Sequence, residues 1–89
     1  LAALCWNLAN AAEIRQLRLE TGATGTRAEI QLDRAGEYTL IQLRNPDRLV
    51  VDFAGSQLRR GLALPSPGGA VQAVRTGQPQ PGTARVVFD

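Results

Sequence analysis

Apolar and polar residues alternate over several short segments of this chain, a pattern typical of half-buried β-strands. The alternation is clearest in residues 26–33, where Ala28, Ile30 and Leu32 share one face and charged or amide side chains share the other. The other strand-like segments are residues 14–19, 37–43, 48–53, 71–76 and 84–89. Short strands separated by turn residues predict an all-β fold, either a β-sandwich or a curled sheet.

A hairpin is predicted in the middle of the chain. Residues 44–47, Arg-Asn-Pro-Asp, favour a tight turn because proline presets φ and asparagine or aspartate bonds its own backbone. The segments on either side, residues 37–43 and 48–53, should therefore pair with each other. The residues expected to point inward from this hairpin are Leu49, Val51, Phe53, Ile41 and Leu43.

The remaining segments are less regular. The spacing of Ile14 and Leu17 breaks the alternation and indicates a bulge in the first strand. Residues 57–64 fit either a helical turn or a strand that crosses between the two halves of the chain, and Gly61 argues against a long helix. Residues 78–82, which contain two prolines and a glycine, predict a turn before the last strand.

The second half of the chain begins to repeat the first. Residues 14–33 and residues 71–89 each read as a strand, a glycine-containing turn and a second strand. The first unit continues through two more strands, whereas the second reaches Asp89. We therefore expect a β-sandwich of two similar antiparallel units, the second truncated at its C-terminus. An unfinished sheet leaves an exposed edge, which predicts strand exchange between copies in a strand-swapped oligomer.

The N-terminal segment predicts export. Residues 1–8 are apolar apart from Asn7, and Ala9-Asn10-Ala11 follows them, as at the end of a secretory signal peptide. We expect residues 1–12 to be a signal-peptide remnant and residues 13–89 to form the domain, with Cys5 removed on processing. The alternative is an amphipathic N-terminal helix packed on the domain. The segment is too short to span a membrane.

Composition narrows the possible functions. All ten basic residues are arginine, eight residues are acidic, and the net charge of +2 is too small to favour nucleic-acid binding. Without histidine, and with a single cysteine, the common nucleophile–base pairs and most zinc sites cannot be assembled. Carboxylate pairs among Glu29, Asp33, Asp47 and Asp52 are possible, but cross-strand pairing with arginine is the commoner role. We therefore expect no catalysis, no cofactor and no metal site.

Residues 43–53, Leu-Arg-Asn-Pro-Asp-Arg-Leu-Val-Val-Asp-Phe, and the closing residues 83–89 resemble the AMIN domain. That domain precedes the catalytic domain of periplasmic N-acetylmuramoyl-L-alanine amidases and also occurs in type IV pilus secretins. The resemblance spans residues 14–89. It implies a sandwich of two similar four-stranded sheets that binds peptidoglycan in the Gram-negative periplasm and directs an attached zinc amidase to the division septum.

If the resemblance holds, the binding residues should match the chemistry of the cell wall. Peptidoglycan presents hydroxyls, N-acetyl groups and stem-peptide carboxylates, which suit asparagine, aspartate and the planar fork of arginine. The turn at residues 44–47 also has a purely structural explanation, and the strand residues could simply keep the sheet faces solvated. The candidate peptidoglycan-binding residues are Arg27, Arg44, Asn45, Asp47, Arg48, Asp52 and Arg85.

The function predicted from the sequence is thus a non-catalytic cell-wall targeting module of an amidase. The alternative is a protein-interaction or cell-wall module of a type IV pilus secretin, or one that docks on divisome proteins, in which an exposed sheet edge recruits a partner strand. A small enzyme that uses carboxylates would need two acids converging in a cleft, and nothing in their spacing indicates this.

Overall fold

The computed structural model describes residues 11–89, and this part of the chain contains seven strands and no helix. The strands are β1 (Ala12–Gly22), β2 (Gly25–Leu32), β3 (Tyr38–Leu43), β4 (Arg48–Ala54), β5 (Ser56–Leu58), β6 (Val74–Gln80) and β7 (Thr83–Phe88). They form a three-stranded sheet in the order β2-β1-β5 and a four-stranded sheet in the order β3-β4-β7-β6. The predicted all-β fold with two packed sheets is confirmed.

Each half of the repeat forms a hairpin, and the two hairpins lie in different sheets. In the three-stranded sheet, β1 and β2 pair antiparallel through the turn between Gly22 and Gly25, and in the four-stranded sheet β6 pairs antiparallel with β7. The register of β1 shifts between Ile14 and Gln16, which confirms the predicted bulge. The resemblance implied two four-stranded sheets, whereas the described residues form one sheet of three strands and one of four.

The predicted central hairpin is confirmed, since β3 and β4 pair antiparallel from Tyr38↔Phe53 to Leu43↔Arg48. The prediction for the faces of β3 was wrong. Directly paired residues point to the same side of a sheet, and Leu40 is paired with the buried Val51. Tyr38, Leu40 and Gln42 therefore lie on the inner face, and Ile41 and Leu43 lie on the outer face.

The chain changes sheet immediately after β4. Gly55 has φ of +56°, a left-handed conformation that suits glycine, and the next residue already belongs to β5 in the other sheet. β5 pairs in parallel with the start of β1, from Ala12↔Ser56 to Ile14↔Leu58. Of the two alternatives for residues 57–64, a strand is thus correct at their beginning, and a turn and a loop follow it.

The predicted turn at residues 78–82 is shorter in the structure. β6 continues to Gln80, and the turn is confined to Pro81 and Gly82. Pro79 can lie within β6 because this strand is at the edge of its sheet and its register shifts between Gly77 and Gln80. A backbone N–H missing at such a position costs no ladder hydrogen bond.

The core lies between the sheets and is built from aliphatic residues with two phenylalanines. Its buried members are Ile14, Leu17, Val51, Phe53, Val74, Ala84, Val86 and Phe88. Val51 and Phe53 point inward as predicted, whereas Leu49 remains 37% exposed. Val50 points outward from β4 and is nevertheless buried, because it lies between its register partners Ile41 and Val87.

The predicted signal-peptide remnant falls almost entirely on residues 1–10, which lie outside the described residues. β1 begins at Ala12, whose side chain is buried beside Ser56. The remnant and its export role stay predictions. None of the described residues form a helix that is long and apolar enough to cross a membrane.

Candidate functional site

The outer face of the four-stranded sheet carries two arginine–aspartate pairs. Asp52 of β4 and Arg85 of β7 are register partners, and Arg85 donates from Nε and Nη2 to the two carboxylate oxygens at 2.8 and 2.9 Å. Arg75 of β6 donates to Asp89 in the same way, at 2.7 and 2.9 Å. Bidentate pairs of this kind hold both side chains in a fixed orientation.

An apolar strip lies between these two pairs. It consists of Ile41, Val50 and Val87, which are register partners across β3, β4 and β7. We call the whole surface the four-stranded outer face. Its members are Thr39, Ile41, Leu43, Arg48, Val50, Asp52, Arg75, Arg85, Val87 and Asp89. Because its polar groups surround an apolar centre, this face can offer both hydrogen bonds and apolar contact to an extended ligand.

The Arg85 guanidinium holds the pKa of the Asp52 carboxyl below its ordinary value, chiefly through hydrogen bonding and also through its charge, while burial acts in the opposite direction. A carboxyl whose pKa is lowered by folding stabilises the fold above its unfolded pKa, about 4, and loses that contribution as pH falls through the folded pKa. We therefore expect acidification below about pH 4 to lower the urea midpoint more in the wild type than in Asp52→Asn. Equal slopes of midpoint against pH would contradict the pairing.

The central hairpin turn places three of the predicted residues at one end of this face. Arg44, Asn45 and Asp47 are all exposed. Asn45 has φ of +60°, which asparagine tolerates better than most residues, and the peptide bond to Pro46 is cis. The identity of Asn45 is therefore accounted for by the turn, whereas nothing in the turn requires the arginine at position 44.

Arg48 lies at the same end, in a cleft of about 450 Å³ that Asp47 and Asp89 also line. Its Nε is buried and has no hydrogen-bond acceptor within residues 11–89. The charge of Arg48 adds to Arg75 in lowering the pKa of Asp89, although the Arg75 hydrogen bonds are the main cause. A buried charged donor without an acceptor is costly, and a ligand could supply an acceptor only if the Arg48 side chain moves toward the cleft.

The last predicted residue, Arg27, lies elsewhere. It is on the outer face of the three-stranded sheet, where it is 72% exposed and pairs with Glu29 at 2.8 Å. The outer faces of the two sheets of a sandwich point in opposite directions, so Arg27 and Arg85 cannot contact one small ligand together. The structure thus brings six of the seven predicted residues to one side of the molecule and leaves Arg27 on the other.

Three of the four acids considered as a carboxylate pair form salt bridges with arginine, and the fourth, Asp47, lines the cleft beside Arg48. Asp52 pairs with Arg85, Glu29 with Arg27, and Asp33 lies within 3.9 Å of both Arg15 and Arg34. The Asp52–Arg85 pair joins two neighbouring strands, as the cross-strand interpretation predicted, whereas Arg27 and Glu29 lie on the same strand, β2. Asp47 forms no salt bridge among the described residues. Among residues 11–89 no three histidine, cysteine, aspartate or glutamate side chains lie close enough to hold a metal ion.

Two further concavities were not predicted. One, between β1 and the loop after β5, collects Arg15, Arg59 and Arg60. The other is an apolar cleft of about 600 Å³ between β2 and the β3–β4 hairpin, where the Tyr38 and Phe53 rings lie 6.1 Å apart. The pair Arg59-Arg60 is visible in the sequence, but its approach to Arg15 depends on the parallel pairing of β5 with β1.

The fold and these surfaces define a small two-sheet β domain whose distinctive chemistry lies on exposed polar faces. A family model of the AMIN domain matches residues 16–89, and the chain therefore belongs to the AMIN domain family. This confirms the resemblance noted in the sequence. AMIN domains are non-catalytic peptidoglycan-binding modules of amidases and secretins and occur in periplasmic proteins, so the isolated domain is not an enzyme. No match was found among curated proteins.

Proposed function

We propose that this chain adsorbs to peptidoglycan in the periplasm and thereby targets an N-acetylmuramoyl-L-alanine amidase to the cell wall at the division septum. Membership of the AMIN family supports the wall-binding part of this proposal. The amidase and septal parts rest on the resemblance of residues 43–53 to a domain of amidases, which also occurs in secretins. A weakly binding module of this type acts by raising the local concentration of the enzyme tethered to it.

The observation that carries the proposal is the buried, unpartnered Nε of Arg48. Arg48 lines the cleft together with Asp47, near the exposed turn residue Arg44, at one end of the four-stranded outer face. A carbonyl oxygen of an N-acetyl group or a stem-peptide carboxylate would satisfy this donor once the Arg48 side chain turns toward the cleft. The turn and the Asp52–Arg85 pair would then supply further polar contacts to the same glycan strand of peptidoglycan.

The binding mode we propose uses several polar contacts rather than a deep sugar pocket. Aromatic side chains, which usually stack on sugar rings, are missing from the members of the four-stranded outer face. Tyr38 is exposed, but it lies on the inner side of β3. The small apolar strip of Ile41, Val50 and Val87 gives limited area for ring contact, so affinity must come from repeated contacts with the polymer.

We predict that the 89-residue chain co-sediments with purified peptidoglycan sacculi and that Arg48→Gln reduces the bound fraction about fivefold or more, since a hydrogen bond to a charged group is worth about 1.5–3 kcal/mol. The matched control is Arg18→Gln, which removes the same charge from an exposed arginine on the three-stranded sheet, where it pairs with Glu20. Binding should be measured by quantifying protein in the pellet and the supernatant after both variants are shown to be folded.

The possible results separate the site from the function. Equal loss in both variants would indicate attraction by net charge alone and would remove Arg48 from the site. If neither variant changes the bound fraction, peptidoglycan remains the ligand and the contacts lie elsewhere on the domain. The double variant Arg27→Ala/Arg85→Ala should then be measured next. A folded wild type that stays in the supernatant would overturn the wall-binding proposal.

The rival proposal is a protein-interaction module of a type IV pilus secretin or of the divisome. The feature that favours it is edge strand β3, which borders the apolar cleft and can pair with an extended segment of a partner protein. The coding sequence that follows codon 89 distinguishes the two parents, since it would encode either a zinc amidase domain or a secretin domain. Divisome partners and strand-swapped oligomers stay predictions.

A further inference from the structure

A groove of about 650 Å³ runs beside β1, on the three-stranded sheet and away from the four-stranded outer face. It is lined by residues 15–17 of β1, by Gln31 of β2 and by residues 59–65 of the loop that follows β5. We call it the arginine groove. Its volume lies within the range of about 300–1,000 Å³ that is usual for ligand sites.

The groove exists because β5 is short. β5 accompanies β1 only as far as Ile14↔Leu58, and the Arg59 N–H then donates to the Ile14 carbonyl at 3.0 Å. From Gln16 onward, β1 has a strand partner on one side only, β2, among the described residues. The loop turns away at Gly61, where φ is +73°, and its return path forms the opposite wall.

The arginine groove is strongly cationic. Arg15, Arg59 and Arg60 all line it, and no acidic residue does. Arg15 is partly neutralised by Glu13, at 3.2 Å, and by Asp33, at 3.9 Å. Neither Arg59 nor Arg60 has an acidic partner within salt-bridge distance in residues 11–89. Two adjacent guanidiniums without counter-charges therefore face a concave surface, which favours an anionic ligand.

The remainder of the lining divides into amides and apolar groups. Gln16 and Gln31 are register partners whose side-chain amides add donors and acceptors on the sheet side. Leu17 is buried, and on the loop side Leu62 packs against the core while Leu64 is 47% exposed. A ligand that fits must therefore combine negative charge with small apolar groups and with amide hydrogen-bonding capacity.

We propose that the arginine groove binds a short acidic peptide. The ligand's carboxylates would pair with Arg59 and Arg60, its peptide groups would bond to Gln16 and Gln31, and its methyl groups would contact Leu64. Its source, if the proposed function holds, is the stem peptide of peptidoglycan, which would give the domain a peptide-reading site separate from the polar contacts at Arg48. The groove's chemistry alone requires only an acidic peptide.

The test is titration of the ¹⁵N-labelled 89-residue chain with soluble L-Ala-γ-D-Glu-meso-diaminopimelate, followed by NMR. We expect chemical-shift changes in the amides of residues 15–17 and 59–64 and in the side-chain amides of Gln16 and Gln31. Arg59→Gln/Arg60→Gln should raise the dissociation constant at least about tenfold, because charge-assisted hydrogen bonds are lost. The matched pair is the two single variants Arg60→Gln and Arg18→Gln, each of which removes one positive charge. Arg18 lies outside the groove, so Arg18→Gln should leave the dissociation constant within about twofold of the wild-type value, whereas Arg60→Gln should raise it further.

Three probes decide the chemistry. The same tripeptide with amidated carboxylates should not bind, and chitotriose, which has N-acetyl groups but no carboxylate, should not shift the groove residues. Inorganic phosphate that shifts these residues as strongly as the tripeptide would overturn the assignment to a peptide. If the tripeptide causes no chemical-shift changes in the groove residues, the groove proposal is overturned, even if the protein binds intact sacculi. If the tripeptide binds in the groove but the protein does not bind sacculi, the groove site is retained and the proposed function is rejected.

Discussion

Replacing Phe53 by alanine is expected to cost about 3–5 kcal/mol of unfolding free energy, a large fraction of the total stability of a small domain. Phe53 is 6% exposed, lies in β4 in the interior of the four-stranded sheet and belongs to the buried core. A domain of this size has little stability to spare, since it buries only about 60–65% of its unfolded surface and small proteins have a total near 5–15 kcal/mol. Urea unfolding followed by far-ultraviolet circular dichroism measures the loss.

Leu40→Ala is the matched control for Phe53→Ala. Leu40 points to the same inner side, through its register partner Val51, but it is 57% exposed at the open cleft. Because a side chain already in contact with water loses little on truncation, we expect a cost below about 1 kcal/mol. A Phe53→Ala variant that is as stable as Leu40→Ala would show that the apolar cleft extends beneath Phe53 and that its ring is not part of a closed core.

The parts of the fold that were predicted correctly are those fixed by neighbouring residues. Residues 44–47 form a turn, and β3 and β4 pair on either side of it, because proline and asparagine determine the local backbone. The bulge near Ile14 follows from a break in a two-residue period. For β5 the pattern left a strand and a helical turn as alternatives, because this strand has three residues and is held by parallel pairing with β1, a partner distant in the sequence.

The alternation of apolar and polar residues also could not predict the burial of Val50 on the outer face of β4. Val50 alternates with Val51 and therefore points to the opposite side, yet it is 7% exposed because Ile41 and Val87 lie beside it. Those neighbours come from β3 and β7, and the pairing of β4 with β7 joins distant parts of the chain. A period of two specifies the face to which a side chain points, but the neighbouring strands determine how much water reaches it.

In the candidate site, too, some features follow from neighbouring residues and others depend on pairing between distant strands. Asp47 and Arg48 lie together because they are adjacent in the hairpin, and Asp52 could be placed on the same outer face by counting along β4. Its bidentate pairing with Arg85 required the register of β4 and β7, and the separation of Arg27 from Arg85 required the assignment of β2 and β7 to different sheets. The arginine groove depends on tertiary pairing throughout, so no local pattern could have indicated it.

The second large effect is expected from Gly69→Ala. Gly69 has φ of +55°, and a Cβ at this position would lie 2.6 Å from Thr21 Oγ1 and closer still to Thr26 Oγ1. These two threonines are register partners at the end of the β1–β2 hairpin, and Thr26 Oγ1 accepts a hydrogen bond from the Ala70 N–H at 2.9 Å. Alanine should therefore push the loop off the hairpin, at a cost of about 1–2 kcal/mol for the backbone and about 1–3 kcal/mol for the overlap.

Gly55→Ala separates these two contributions. Gly55 has nearly the same φ, +56°, but no heavy atom lies within 4 Å of the Cβ that alanine would add. It should therefore show only the backbone cost, measured as the difference in urea unfolding free energy from the wild type. In a Thr21→Ala/Thr26→Ala background, Gly69→Ala should cost no more than Gly55→Ala, because β-branched threonine, with its stiff χ1, is the group that the new methyl meets. If the threonine substitutions leave the cost of Gly69→Ala unchanged, backbone conformation is its whole cause, and the loop is not held against the hairpin as the structure has it.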